Sequence, residues 1–514
     1  MRYARSTFVA VMLAGLQLTA GGCEGFLEPN PASFTTTENY YRTPEHFEAA
    51  VNGAYSRLRA FAGVSNAAFR VNTELRFDCC ITDPHRLSTS PSGKPIAEWY
   101  ATATNDFFAN LWSGAYHAIA QTNIILGRIG SIEFRDETQR DRIVGQAKFI
   151  RALAYWYLVQ FFGEVPLVLT EVRTLGEAIP DGRRPVAEVY AQIIDDLMDA
   201  AEKLPVSWAA AERGRATRGA ARFLLGRTYL LTQDYENARA ALEDVVGAGG
   251  ASPYGYQLMP NYRDVFNPSN INSAESIFEL QFGAGVAGQP NMGLIGSLLP
   301  EQSRGKILPN AVGTNGDQLV SMQLVEQYEE GDQRLEASIF FWFDEAADST
   351  KAILWKFIWP QHINAQGQQA GNSILFRYAD AILSLAEAHW RLGNSEQAIN
   401  YVNLIRERAG LLPVDVASVR SNPLVAGTYL ESDHVGRAIF NERTIELAGE
   451  GHRMFDLIRF GVAYEVMVNW SQRTLATNPE LGGSFHIEPW KILLPIPARE
   501  IEASKGALTQ NPGW

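Results

Sequence analysis

Apolar residues recurring at spacings of three and four dominate two zones of the chain. From Thr138 to Phe162, the positions Ile143, Ala147, Ile150, Ala154, Tyr157, Leu158 and Phe161 share one helical face, and Gly163 follows as a stop. A second unit runs from Ala216 to Leu231 and contains Leu225-Gly226-x-x-Tyr229, with Ala238 nine residues beyond Tyr229 on a further helical pattern. That spacing belongs to the tetratricopeptide helix-turn-helix, in which small residues let two helices approach closely. The same grammar returns downstream. Leu385 to His389 ends one helix, Gly393-Asn394-Ser395 turns, and Ala398, Val402, Ile405 and Ala409 carry the partner helix to Gly410.

Tandem repeats stack neighbour on neighbour, whereas roughly 130 residues, about Ala248 to Ser373, separate these two pairs. The intervening stretch is rich in Gly, Asn, Pro and rings, with strand-like runs such as Ser276 to Phe282. The pattern predicts a mainly α fold: tetratricopeptide-like helix pairs form a scaffold over about 23–247 and 374–514, and a long irregular insert with short strands covers about 248–373. Binding residues are expected on the irregular segments.

With 57 acids against 44 Lys and Arg, the formal charge of −13 over 514 residues argues against nucleic acid as a partner, since phosphate binding needs clustered cations. The amino terminus reads as an export signal over residues 1–22: Arg2 and Arg5, an apolar stretch from Thr7 to Ala20, then a small-residue exit. Cys23 follows at once, which resembles the bacterial lipoprotein signal, with Ala20 where such signals usually carry Leu. Plain secretion is the alternative. Loss of the signal takes the charge from −13 to −15, so the body would be held at a membrane by its lipid only.

Most sequences that invite a chemical reading fail on context. Gly283-Ala284-Gly285-Val286-Ala287-Gly288 follows a strand, but Gln289-Pro290-Asn291 is a poor helix start, so it lacks what a dinucleotide loop requires. Glu431 and His434 have no second copy of the kind a helical di-metal site needs. The adjacent Cys79 and Cys80 read as two buried small side chains, with a vicinal disulfide or a metal site as alternatives. No cofactor or metal is called for. In the stretch Asn441 to Arg459, Glu446 and Glu450 could serve as an acid/base pair. The favoured reading is ion pairs knitting helices together, with Arg443 beside Glu446 and Arg453 beside Asp456 at helical spacing.

Ordered blocks along the chain resemble the SusD/RagB family. They are Cys23 to Glu28, Phe149 to Tyr155 running on to Phe162-Gly163-Glu164-Val165-Pro166-Leu167, Gly214 to Ala220, Phe376 to Asp380 with Ala386-Glu387-Ala388, Asn403 to Gly410, Glu442 to Arg459, Leu494-Pro495-Ile496-Pro497, and the ending Gln510-Asn511-Pro512-Gly513-Trp514. The resemblance implies a binding protein rather than an enzyme, lipid-anchored through Cys23 in the outer membrane and facing the cell exterior. It would cap a SusC-like TonB-dependent transporter and deliver an oligosaccharide. A peptide ligand is the alternative within the family, and a surface glycosidase the more distant one.

Sugars offer flat C–H faces and hydroxyl edges, so a shallow site wants an exposed ring beside fork-like or amide donors. Two stretches present these groups. One holds Arg76 and Asp78 with the loop from Ser88 to Tyr100, where Trp99 and Tyr100 are followed by Asn105. The other is Phe340-Phe341-Trp342-Phe343-Asp344 with Trp355 and Trp359. The candidate ligand residues are therefore Arg76, Asp78, Trp99, Tyr100, Asn105, Phe341 and Trp342, with core packing as the competing role for each ring.

Overall fold

Side-chain caps mark the start of several scaffold helices. The structure, a computed structural model, describes residues 40–82, 92–283, 294–308, 318–345, 347–364, 368–478 and 485–514. The signal segment 1–22, Cys23, Ser88 to Pro91 and Ala284 to Gly288 of the glycine run lie outside the described residues. The longer helices are α1 (Pro44–Arg59), α2 (Asp106–Arg128), α3 (Glu137–Phe162), α4 (Val186–Lys203), α5 (Arg218–Leu231), α6 (Tyr235–Val246), α7 (Tyr378–Arg391), α8 (Ser395–Arg408), α9 (His434–Glu446), α10 (Arg453–Phe460) and α11 (Ala463–Thr477). Asp136 caps α3 by accepting from the Thr138 N–H, and Gly163, at φ 71°, ends it. Thr217 and Asp234 cap α5 and α6 in the same way.

Helices α2 to α6 pack in succession, each on the next, and α3 lies at the centre, buried on every face from Ala147 onward save at Lys148. Gly226 in the Leu-Gly-x-x-Tyr unit makes room for the neighbouring helix, since a Cβ there would lie 2.6 Å from Leu242 of α6. Helix α6 then packs on α7, and α7 on α8. The two helix pairs that the insert separates in sequence are neighbours in space, so the tandem stacking of a solenoid is restored around the insert.

The insert contributes strands in pairs. β1 (Cys80–Ile81) pairs antiparallel with β3 (Leu319–Val320), β2 (Ser276–Leu280) with β6 (Ser373–Arg377), and β4 (Ile339–Asp344) with β5 (Ser349–Leu354) as a hairpin. β6 runs directly into α7 at Tyr378, and β3 packs on β5. Through β1 and β3, the hairpin is tied to the segment that carries Arg76 and Asp78.

Candidate functional site

The charge-dense stretch from Glu442 to Arg459 forms α9, a glycine-bearing turn and α10, and it is buried. Apart from Arg459 with Asp456 along α10, its ion pairs run between elements. Arg377, at the end of β6, donates to Glu446 Oε1 at 2.5 Å, to both oxygens of Glu450 at 2.7 and 2.8 Å, and to Glu275 at 2.8 Å. Arg408 of α8 also bonds Glu446, and Arg334 reaches Glu442 and Glu446 at 2.5 and 3.0 Å. The expected helical pairs are replaced: Arg443 forks onto Asp456 at 2.8 and 2.9 Å, while Arg453 forks onto Asp78 at 2.7 and 2.5 Å. Burial alone would raise the Glu446 carboxyl, but Arg408, Arg377 and Arg334 hold it well below the usual carboxylate range. Asp380 and Asp456 are held down likewise, Asp380 by Arg227 and Arg443, Asp456 by Arg443, Arg459 and Arg227. Glu446 and Glu450 thus spend their oxygens on fixed cations inside the core, the geometry of a structural seam and not of an acid/base pair.

Three of the ligand residues expected from sequence belong to that interior. Asp78 is the partner of Arg453. Trp99, 2% exposed, donates its indole N–H to the Arg76 carbonyl at 3.0 Å, and the Arg76 guanidinium lies 4.0 Å from the centre of its ring. Burial pulls the Arg76 pKa down to about 9, and its side chain donates to the Lys491 carbonyl. Asn105 is a helix cap: its carbonyl oxygen takes the Phe107 N–H at 2.9 Å and its amide donates to Ser92. The buried ring face of Trp99 and the buried charges of Arg76 and Asp78 are enclosed by protein and present no open face to a ligand.

The buried pair nevertheless sets a surface. Trp99 sits at φ 63°, a left-handed conformation costing about 1–2 kcal/mol in a non-glycine residue, and it is held there by its N–H to Ile96 and by Lys491 Nζ on its carbonyl at 2.7 Å. The next residue, Tyr100, is thereby turned outward, 42% exposed, with its ring edge-on to exposed His486 at 6.3 Å. Lys491 also bonds the His486 carbonyl and stands 5.1 Å from the ring of exposed Trp490, which meets Trp514 edge-on at 5.0 Å. The C-terminal segment 485–491 and the Trp99–Tyr100 turn therefore make one ring-bearing surface.

The hairpin supplies the second. Along β4, Phe341 and Phe343 are 43% and 53% exposed on one face. Trp342 faces the other way, half-buried, with Lys306 Nζ at 5.6 Å and Lys351 Nζ at 6.0 Å from its ring, and Phe340 packs tilted against Trp355, ring centres 4.8 Å apart. Sequence reasoning missed Phe343 as the more exposed ring because aromatics occupy both faces of the strand, so alternation could not orient it. It missed His486 because only tertiary packing brings it to Tyr100.

Glu74, Cys79 and Cys80 put a carboxylate oxygen and two thiols within 4.8 Å of one another. Both cysteines are free and buried. Zinc-type binding needs thiolates, whereas burial, together with Cys80 and Glu74, pushes the Cys79 thiol well up. Cys79 donates to Glu74 and the Gln318 amide to Cys80, which is core hydrogen bonding.

Known proteins align with both the scaffold and the insert. The profile described as "Starch-binding associating with outer membrane" matches residues 77–230, the one described as "SusD family" matches 343–514, and a tetratricopeptide repeat profile matches 220–248. "SusD-like protein P25" of Formosa agariphila is 28% identical, covering 94% of each chain. "Starch-binding protein SusD" of Bacteroides thetaiotaomicron is 24% identical over 74% of this chain and 73% of its own. Among solved structures, a laminarin-binding SusD-like protein superposes with a TM-score of 0.71 at 27% identity, covering 91% of this chain and 99% of that one. A SusD superfamily protein from Bacteroides vulgatus shares the fold, with a TM-score of 0.74 at 22% identity over 93% of this chain. Profile matches in the scaffold and the insert, relatives along the full length and a shared architecture agree: the chain belongs to the SusD/RagB family.

Proposed function

We propose that the protein is an outer-membrane lipoprotein that captures an oligosaccharide outside the cell and passes it to a SusC-like TonB-dependent transporter. The observation that carries the reading is the exposed rings on two surfaces, Tyr100 with His486 on a base of Trp99 and Arg76, and Phe341 with Phe343 on the β4–β5 hairpin. Exposed rings of this kind suit the C–H faces of sugars and give weak, reversible capture, which delivery requires. The laminarin-binding relative and the profile named for starch binding support a glycan as ligand. The family resemblance supports the transporter as partner, and that profile's description supports the outer membrane. Among the described residues no helix is long and apolar enough to cross a membrane. The anchor in this reading is a lipid on Cys23, which follows the export-signal pattern of residues 1–22. A hydrolytic role has no support from Glu446 and Glu450, whose oxygens are enclosed by arginines.

Binding and attachment are tested separately. Affinity electrophoresis of the full chain against laminarin and starch should show retardation by at least one of them, weakened in a Tyr100→Ala/Phe341→Ala/Phe343→Ala variant. Expressed in its own host, Cys23→Ser should move the protein from the membrane fraction to the soluble fraction. Retention of that variant in the membrane would overturn the lipid anchor.

A further inference from the structure

A cleft of about 420 Å³ opens between the loop before α5, the start of α5, the loop 252–256 and the approach to β2, apart from the residues of the ring-bearing surface. Trp208 forms part of its wall, half-buried and fixed by its indole N–H on the Ala216 carbonyl at 2.8 Å. The guanidinium groups of Arg142 and Arg215 lie 5.6 and 5.7 Å from its ring centre. Tyr254 and Tyr256 also line the cleft, their rings 6.0 Å apart. Tyr256 can lie against α5 because Gly219 has no side chain; a Cβ would sit 2.5 Å from the phenol oxygen. Ser273 lines the same cleft, and its hydroxyl oxygen is buried with no hydrogen-bond partner among the described residues.

Charge sets this cleft apart from the rest of an acidic chain. Arg142, Arg213 and Arg218 have no carboxylate at ion-pair distance among the described residues, and Arg213 is exposed. Arg215, by contrast, is spent on fixed partners, at 3.6 and 3.7 Å from Glu212 and Glu48 and donating to the Gln146 side-chain oxygen at 3.0 Å, which leaves the exposed Arg213 as the open cation of the wall. The one acid on the wall, Glu279, is spent on the Asn272 N–H at 2.9 Å and the Asn372 amide at 2.8 Å, from both of which it accepts. The positive end of α5 adds to the excess. Arginine forks match planar carboxylate and sulfate oxygens, while a tryptophan face matches a sugar ring.

We propose that this cleft is a second saccharide site, taking an acidic sugar residue, carboxylated or sulfated, with its anionic group on Arg213 and its ring against Trp208. The inference extends the glycan-binding reading but does not depend on the ring-bearing surface. Its test is calorimetric titration of the full chain with oligogalacturonate, a sulfated carrageenan oligosaccharide, neutral laminarihexaose and sodium sulfate. The variants are Arg213→Ala, Trp208→Ala, the ring-retaining Trp208→Phe in case the alanine fails to fold, and the Tyr100→Ala/Phe341→Ala/Phe343→Ala triple. One acidic oligosaccharide should bind and lose about tenfold or more in Arg213→Ala and Trp208→Ala, matching a lost charge-assisted fork or ring contact. The triple variant should retain that binding, and whichever acidic probe binds more tightly identifies carboxylate or sulfate. Absence of acidic binding, equal affinity in the Arg213 and Trp208 variants, or binding of sulfate ion with no contribution from Trp208 would overturn the site. Loss of all binding in the triple variant would overturn the cleft and leave the ring-bearing surface standing. Acidic binding without any neutral binding would do the reverse.

Discussion

The buried seam around Arg377 and the exposed rings around Tyr100 use the same residue types, arginines, lysines and aromatics, for opposite ends. In the seam the charges meet fixed, buried countercharges, so the groups hold α8 and α9 to the insert and present no open face to a ligand. At the surface the fixed groups are one layer down. Arg76 and Trp99 are consumed in packing, and their neighbours Tyr100 and His486 are left with open faces. The difference teaches that partner count, more than residue identity, separates structural from ligand-facing groups in this fold.

Removing one member of the seam gives the largest expected effect. Arg377→Ala strands Glu446, Glu450 and Glu275 in the interior and should cost about 3–5 kcal/mol, read as a lower denaturation midpoint. A variant as stable as the parent would mean that the seam does not hold the insert. Trp99→Ala should follow, with about 3 kcal/mol lost from an emptied core site. It should also weaken glycan binding, because Tyr100 loses its base.

The pH dependence of stability sharpens the comparison further. Burial lifts the Glu74 carboxyl from its ordinary 4.5 to about 7, against its bonds from Cys79 and Gly451. Between those values the unfolded chain sheds the proton that the folded chain keeps, so stability falls as pH rises through about 4.5 to 7. Glu74→Gln should remove a slope worth about 3 kcal/mol at most. The seam acids behave oppositely. Asp380, Asp456 and Glu446 are held low, so their contribution is full above about pH 4.5 and is lost on acidification. Denaturation midpoints of the parent and the Glu74→Gln variant across pH 4 to 8 check both signs.

The scaffold is legible in sequence because helical periodicity and the Gly226 contact are local: the positions that set them lie within one helix pair. The stacking of α6 on α7 is not, since nothing in a repeat's own residues states that an insert of more than a hundred residues will fold aside. The charge-dense stretch reads as structural from its composition, yet helical spacing assigns it the wrong partners. Arg453 pairs with Asp78, 375 residues away, and helical spacing can propose only near neighbours. At the candidate site, Trp99 and Tyr100 are adjacent and chemically alike in sequence, and a single left-handed residue sends one inward and the other out.

The smallest effect bears on the central claim. Tyr100→Ala with Phe341→Ala and Phe343→Ala should leave the melting temperature of the full chain near that of the parent while each lost ring contact removes about 0.5–1.5 kcal/mol of binding. Calorimetric titration with whichever of laminarin and starch the parent retains more strongly reads this directly. The account predicts at least a tenfold loss of affinity at unchanged stability. An affinity equal to that of the parent would contradict it.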